Sequence, residues 1–178
     1  MSTESEVELR PMSAGDYAVY RERSVQTYAD ELARSRDLRP HVALRQSEET
    51  FARTLPEILA HQPTWICRAF LGDEPVGWLW LGPPPHGGVG VFVYDIGVDE
   101  ARRGEGLGRA IMLAAEDLVR EDGYDRIGLN VFGWNRRAES LYRSLGYEVM
   151  SMQMRKLLGN EMLDGDLPDG DSTLDGGR

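Results

Sequence analysis

The chain has 178 residues, of which 41% are hydrophobic, and this is enough for one domain with a substantial core. Its formal net charge of −10 argues against nucleic-acid binding as the main role, because such proteins present basic surfaces. With no run of 18 apolar residues, no apolar secretory segment near the N-terminus and a single cysteine, the sequence predicts a cytoplasmic protein without membrane spans or internal disulfides.

The first 60 residues predict a short strand and two helices. The strand covers Val7 to Arg10, and a capping box at Ser13–Asp16 begins a helix that extends to about Arg34. A second helix is predicted from about Ser47 to Ala60, and Pro56 is expected to kink or split it.

The middle of the chain alternates strands with turns rich in glycine and proline. The segments Trp65–Phe70 and Val76–Leu81 are predicted strands around the turn Gly72–Pro75, which indicates a hairpin. A loop over 82–88 then leads to a strand over Val89–Val98. The lone cysteine, Cys67, lies in the predicted strand Trp65–Phe70 and is expected to be a small core residue.

The segment 98–108, Val-Asp-Glu-Ala-Arg-Arg-Gly-Glu-Gly-Leu-Gly, is the most informative part of the chain. It carries three alternating glycines, and apolar residues then recur at helical spacing from Leu107 to Glu121. The first N–H groups of a helix lack partners within the helix and bind anions, and glycine allows close approach. The spacing fits neither the dinucleotide-binding pattern nor a P-loop. The segment therefore predicts either another kind of phosphate site or simply a tight strand-to-helix turn.

The C-terminal part predicts one more helix between two strands. A strand over Arg126–Phe132 would join the preceding strand as a parallel neighbour through a right-handed crossover. Asn135 is the predicted N-cap of a helix that Gly146 ends, and alternation from Tyr147 predicts a final strand. Residues 159–178 hold six acidic residues and one arginine among glycines, which predicts a disordered tail.

Two motifs taken together resemble the GNAT superfamily of acyl-CoA-dependent N-acyltransferases. The first is R-x-x-G-x-G, with Arg103, Gly106 and Gly108; the second is N-x-x-A-x-x-L-Y-x-x-x-G-Y, from Asn135 to Tyr147. The resemblance covers roughly residues 65–156. It implies an α/β (α+β) fold with a mixed, mostly antiparallel twisted sheet flanked by helices, and a splayed parallel strand pair that holds the cofactor. The single domain would cover residues 1–158.

The resemblance also implies which residues bind acetyl-CoA, the expected co-substrate, with no metal. Backbone amides of the glycine turn would grip the pyrophosphate; they belong to Arg103, Gly104, Glu105, Gly106, Leu107 and Gly108. The strand residues Ile96, Gly97 and Val98 would run beside the pantetheine arm, and a strand N–H would polarise the thioester carbonyl. Asn135 and Ala138 on the last helix would complete the cofactor contacts.

For catalysis, the resemblance implies direct attack of the amine on the thioester, with Tyr142 as the general acid that protonates the leaving thiolate. Asp95 is the best candidate base, because it is a lone carboxylate in an apolar strand; its alternative is a structural partner for another group. His86 in the proline-rich loop is a weaker candidate. Trp134 is expected to form a wall of the acceptor site.

The predicted function is transfer of acetyl to a primary amine of a small molecule, or of a peptide or protein. Carboxylates on the first helix, Glu22, Asp30 and Glu31, are candidates for binding an amine, although helix carboxylates are usually solvated. The alternatives are a non-catalytic acyl-CoA-binding or sensing module and a transferase for a longer or acidic acyl group. An edge strand near the C-terminus would allow a homodimer.

Overall fold

The computed structural model describes residues 7–59, 64–85, 87–156 and 158, with the backbone alone for 54–59. Its centre is one sheet with the strands in chain order, β1 (Val7–Pro11), β2 (Trp65–Leu71), β3 (Glu74–Gly82), β4 (Val91–Val98) and β5 (Ile127–Leu129). The helices are α1 (Ala14–Arg36), α2 (Pro40–Leu59), α3 (Leu107–Glu121) and α4 (Arg136–Ser144), and a short 3-10 turn covers Glu100–Arg102.

Helices cover both faces of the sheet. The apolar stripe of α3 packs on one face, against a cluster of strand residues that includes Leu79 and Leu81. On the other face α1 and α2 pack against Trp78 and Trp80. Since neighbouring residues of a strand point to opposite sides, these two pairs separate the two layers of the core. The prediction of a mixed sheet flanked by helices is confirmed.

The strands β4 and β5 are parallel, and they separate near their carboxyl ends. The other neighbouring strands are antiparallel, whereas β4 and β5 pair in parallel only from Val91↔Ile127 to Val93↔Leu129. Beyond these pairs, residues 94–98 have no partner on the β5 side in the described part of the chain. The predicted splayed parallel pair is thus present, although β5 has three residues where the sequence predicts seven.

An irregularity of β4 changes the direction in which its side chains point. In the pairing with β3, Trp80 lies opposite Asp95 and Leu81 lies opposite Val93, so Tyr94 is an extra residue, a β-bulge. Before the bulge, Val93 packs on the α3 side of the sheet, and after it Ile96 does so. Tyr94 and Asp95 therefore both point toward α1.

Several local predictions are confirmed. Ser13 and Asp16 form the capping box of α1, and Asn135 caps α4 through its side chain. Gly146 follows α4 with φ of 93°, the left-handed conformation that glycine tolerates. The hairpin of β2 and β3 is present, and Cys67 within it is buried, which raises the pKa of its thiol to about 11.

Two predicted elements were wrong. The second helix begins at Pro40 rather than near Ser47, since proline suits the first helical position, where its missing N–H would have no partner; the helix also continues past Pro56 to Leu59. No strand is formed by residues 147–156, which have no regular structure: Tyr147 packs against the core, but the apolar side chains of Val149, Met150, Met152 and Met154 are exposed.

Two further predictions fall outside the described residues, namely the acidic tail over 159–178 and the loop residue His86. Among the residues that are described, no helix is long and apolar enough to cross a membrane.

Candidate functional site

A turn over 103–108 connects β4 to α3 and presents backbone N–H groups to solvent. Gly104 and Gly106 have φ of 95° and 82°, which L side chains rarely adopt, and a Cβ at either would meet no atom within 4 Å. Gly106 is the N-cap of α3 and provides no side-chain cap. The hydrogen bonds found for the described residues include none donated by an N–H of residues 104–108. The turn is therefore open, lies at the positive end of a helix dipole and suits an anion.

The two arginines before the glycines have different surroundings. Arg102 lies between Glu74, at 2.7 Å, and Glu105, at 2.9 Å, and these carboxylates raise its pKa. The Arg103 side chain is 56% exposed, and its nearest carboxylate, that of Glu100, is 3.8 Å away. Arg103 thus has a guanidinium accessible to a ligand, whereas Arg102 and the side chain of Glu105 hold the turn in shape.

The strand residues Ile96, Gly97 and Val98 lie where β4 has separated from β5, so one backbone edge of this segment faces the gap. Gly97 also has a packing role that the sequence did not reveal. A Cβ there would lie 2.0 Å from Cζ2 of Trp78, because the indole covers the glycine. The absence of a side chain at Gly97 therefore allows Trp78 to reach Asp95.

Helix α4 and its N-cap carry three of the predicted site residues, Asn135, Ala138 and Tyr142. Oδ1 of Asn135 accepts the N–H of Ala138 at 3.2 Å, so this donor is used by the helix cap. Tyr142, on the next turns, is partly buried and packs against Tyr147 with 5.8 Å between ring centres. Burial raises the pKa of Tyr142, and the charges of Asp95 and Glu31 raise it further, which keeps the hydroxyl protonated.

Asp95 is hydrogen-bonded to two neighbouring elements. Its Oδ2 accepts from Ser24 Oγ at 2.8 Å, Tyr20 Oη at 3.1 Å and Trp78 Nε1 at 3.1 Å. Burial raises the pKa of this carboxyl, and the hydrogen bonds from Ser24, Tyr20, Trp78 and the backbone at Ile96 act in the opposite direction. The carboxylate thus attaches α1 to the sheet next to the bulge.

Beside this cluster lies a cleft of about 640 Å³ between α1, α2 and the loop before α4. Trp134 forms one wall, with the guanidinium of Arg34 4.7 Å from the centre of its ring. Glu31 also lines the cleft and is partly buried, which raises its pKa to about 7, with further contributions from Asp95 and Asp30.

Trp134, which the sequence predicts as a wall of the acceptor site, lines this cleft, whereas nothing in the sequence distinguishes Glu31 from other helix carboxylates. The one available signal is its spacing from Tyr20 and Ser24, which places the three residues on one face of α1. That spacing is informative only when Tyr20 and Ser24 are known to contact Asp95.

The sequence profile of the acetyltransferase (GNAT) family matches residues 22–147, which include the glycine turn and Tyr142. A protein named uncharacterized N-acetyltransferase YdgE, from Bacillus subtilis (strain 168), is 31% identical over 153 residues, covering 84% of this chain and 97% of that protein. The crystal structure of YycN from Bacillus subtilis superimposes with a TM-score of 0.79 at 28% identity, covering 85% of this chain and 98% of that chain.

Longer enzymes match over part of their length. A mycothiol acetyltransferase from Beutenbergia cavernae is 41% identical over 118 residues, which are 62% of this chain and 39% of that enzyme. The similarity therefore concerns a portion of the longer protein.

Proposed function

Because this chain belongs to the acetyltransferase (GNAT) family, we propose that it transfers acetyl from acetyl-CoA to the primary amine of a small molecule, with a peptide or protein amine as the alternative acceptor. The observation that carries the proposal is the open glycine turn at the start of α3, beside the gap between β4 and β5. A small acceptor also agrees with the name mycothiol acetyltransferase given to several relatives.

The residues around the turn and gap have properties that suit coenzyme A. The N–H groups of 104–108 and the exposed guanidinium of Arg103 would bind the pyrophosphate. The open edge of Ile96–Val98 would pair with the amides of an extended pantetheine arm, as an added strand does. Asn135, at the start of α4, would contact the acyl end with its amide nitrogen, because its oxygen is used by the cap.

Acetyl-CoA would supply the acetyl group as a reactive thioester. Tyr142 is the proposed general acid, since its hydroxyl is kept protonated and makes no hydrogen bond within the described part of the chain. Asp95 belongs to the same centre, because its charge acts on Tyr142 and its hydrogen bonds fix α1 beside the gap.

Two copies of the chain would associate through the segment that follows α4. Met150, Met152 and Met154 alternate along it and are 91%, 71% and 84% exposed, and it lies after β5, an edge strand of the described sheet. An exposed row of apolar side chains favours association with a second chain. Sedimentation equilibrium should give a dimer, and replacing the three methionines with serine should give a monomer; a monomeric wild-type chain would contradict the pairing.

The function is tested by thiol release from acetyl-CoA with a panel of amines that includes polyamines, aminoglycosides, amino acids and short peptides. We expect release that depends on one class of small amine. Saturable acetyl-CoA binding by calorimetry without release for any amine would contradict transfer to these acceptors, and release with peptides alone would favour the alternative acceptor.

A further inference from the structure

The cleft between α1 and α2 lies on the same helix as the residues that hold Asp95, and Glu31 is among the residues that line it. Its volume of about 640 Å³ is sufficient for a small molecule, and its lining includes the charged or titratable side chains of Asp30, Glu31 and Arg34 from α1 and His41 from α2, together with Trp134. Trp134 directly precedes Asn135, the cap of the helix that carries Tyr142. One wall of the cleft therefore belongs to the segment that leads directly into the helix of Tyr142.

Glu31 lies on the same face of α1 as the two helix residues that hold Asp95. It follows Tyr20 by eleven residues and Ser24 by seven, which is about three and two helical turns. The rise of a helix places it about 10 Å beyond Ser24 along the axis. The charges of Asp95 and Glu31 both raise the pKa of Tyr142, and the charge of Asp95 also raises the pKa of Glu31.

The carboxylates near the cleft differ in their partners. Asp95 accepts three side-chain hydrogen bonds on one oxygen, and Asp30 accepts one from Gln26 at 3.1 Å. For Glu31, neither a hydrogen bond nor an ion pair is found with any described residue. It is partly buried yet lines the cleft, so its oxygens are available to a molecule that enters.

We propose that Glu31 is the general base of the reaction, and that the cleft it lines admits the acceptor as a protonated primary amine. This assignment rests on the proposed function. Asp95 is then a positioning residue, because its hydrogen bonds to Tyr20 and Ser24 fix the face of α1 that presents Glu31.

The proton balance of the step is simple. The ammonium of the acceptor gives one proton to the Glu31 carboxylate, and the freed nitrogen lone pair forms the new N–C bond to the acetyl carbon. The C–S bond breaks with its electron pair on sulfur, Tyr142 protonates the sulfur, and the second nitrogen proton restores the Tyr142 hydroxyl. Glu31 returns its proton to solvent through the cleft. A base with pKa near 7 exchanges protons readily at neutral pH.

The test compares Glu31→Gln with Glu22→Gln. The sequence makes Glu22 a candidate for binding an amine, but Glu22 precedes Glu31 by nine residues and so lies about 180° around α1, where it is exposed and is not among the residues that line the cleft. Three quantities are measured for each: the pH dependence of kcat for thiol release with the best amine, acetyl-CoA affinity by calorimetry, and the urea midpoint of the free protein at pH 5 and pH 8.

For Glu31→Gln we expect a kcat lowered about 100-fold, loss of the rising limb near pH 7 and unchanged acetyl-CoA affinity. The raised pKa means that the folded protein keeps the Glu31 proton longer than the unfolded chain, so wild-type stability falls between about pH 4.5 and pH 7. Glu31→Gln lacks this loss of stability. The urea midpoint of the variant, taken relative to that of the wild type, should therefore be higher at pH 8 than at pH 5. Glu22→Gln should match the wild type throughout.

If Glu31→Gln retained both its kcat and the rising limb of the pH dependence of kcat, Glu31 would not be the general base, and the proposed function would not be affected. The assignment would also be contradicted if the urea midpoints of Glu31→Gln and of the wild type differed by the same amount at pH 5 and at pH 8. Absence of thiol release by the wild type with every amine would instead overturn the proposed function together with this assignment.

Discussion

Replacing Gly97 with alanine should separate Trp78 from Asp95. The new Cβ would lie 2.0, 2.4 and 2.5 Å from Cζ2, Cε2 and Cη2 of the Trp78 indole, so the ring must move by more than about 1 Å to reach an ordinary contact. That movement breaks the 3.1 Å hydrogen bond from Nε1 to Asp95, because Cε2 is bonded to this nitrogen. The guanidinium of Arg23, 4.0 Å from the ring centre, also loses its position.

The expected destabilisation combines two terms. Overpacking of a buried site costs about 1–3 kcal/mol, and loss of a hydrogen bond to a charged group costs about 1.5–3 kcal/mol. Since relaxation recovers part of both, we expect the free energy of unfolding to fall by about 2–4 kcal/mol. Urea unfolding followed by circular dichroism measures this change.

The matched control is Gly128→Ala on the neighbouring strand. Its Cβ would meet Phe92 at 3.7 Å, an ordinary contact, so the free energy should change by less than about 0.5 kcal/mol. A double-mutant cycle with Trp78→Phe completes the test, since a phenyl ring lacks the atoms that clash. The double variant should be no less stable than Trp78→Phe alone; additive losses, or wild-type stability of Gly97→Ala, would refute the reasoning.

Three further predictions concern the transfer site. Tyr142→Phe should lower kcat about 10²–10⁴-fold at unchanged acetyl-CoA affinity. The control Tyr147→Phe, which removes a neighbouring hydroxyl, should keep kcat within about twofold. Equal effects of the two substitutions in steady-state kinetics would exclude a special role for Tyr142. Arg103→Ala should weaken acetyl-CoA binding in calorimetry about tenfold at low salt and less at high salt. Arg102→Ala should instead lower the thermal midpoint, because it removes the ion pairs with Glu74 and Glu105. The reverse pattern would exchange the roles of the two arginines. Gly106→Ala should cost about 1–2 kcal/mol in urea unfolding, because its φ of 82° disfavours a Cβ, and should also weaken acetyl-CoA binding; unchanged values would show that the turn tolerates another backbone shape.

The features that the sequence predicted are those set by neighbours along the chain. The capping box at Ser13, the cap at Asn135 and the glycine turn each depend on a few adjacent residues. The hairpin follows from two strand patterns around one turn. Such local signals were sufficient for these elements and for the position of the glycine turn, whereas the mixed sheet with its splayed strand pair was implied by the family resemblance.

The features that the sequence missed depend on contacts between distant segments. The partners of Asp95 on α1 come from 71 and 75 residues earlier in the chain, so nothing near Asp95 indicates them. The properties of Glu31 likewise arise from the packing of α1 beside β4 and the cleft. The alternation after Tyr147 resembles that of a strand, but alternation alone does not provide a pairing partner, and this segment has none among the described residues.

The extra residue at Tyr94 allows β4 to keep its apolar side chains on the α3 side while Asp95 points toward α1. Val91 and Val93 before it, and Ile96 and Val98 after it, all pack on the α3 side, although their numbers change from odd to even. If β4 kept Tyr94 but alternated regularly, without the bulge, Asp95 would face the apolar layer under α3 and Ile96 would face α1. A designer who moves this centre onto another sheet must therefore copy the irregular pairing along with the side chains.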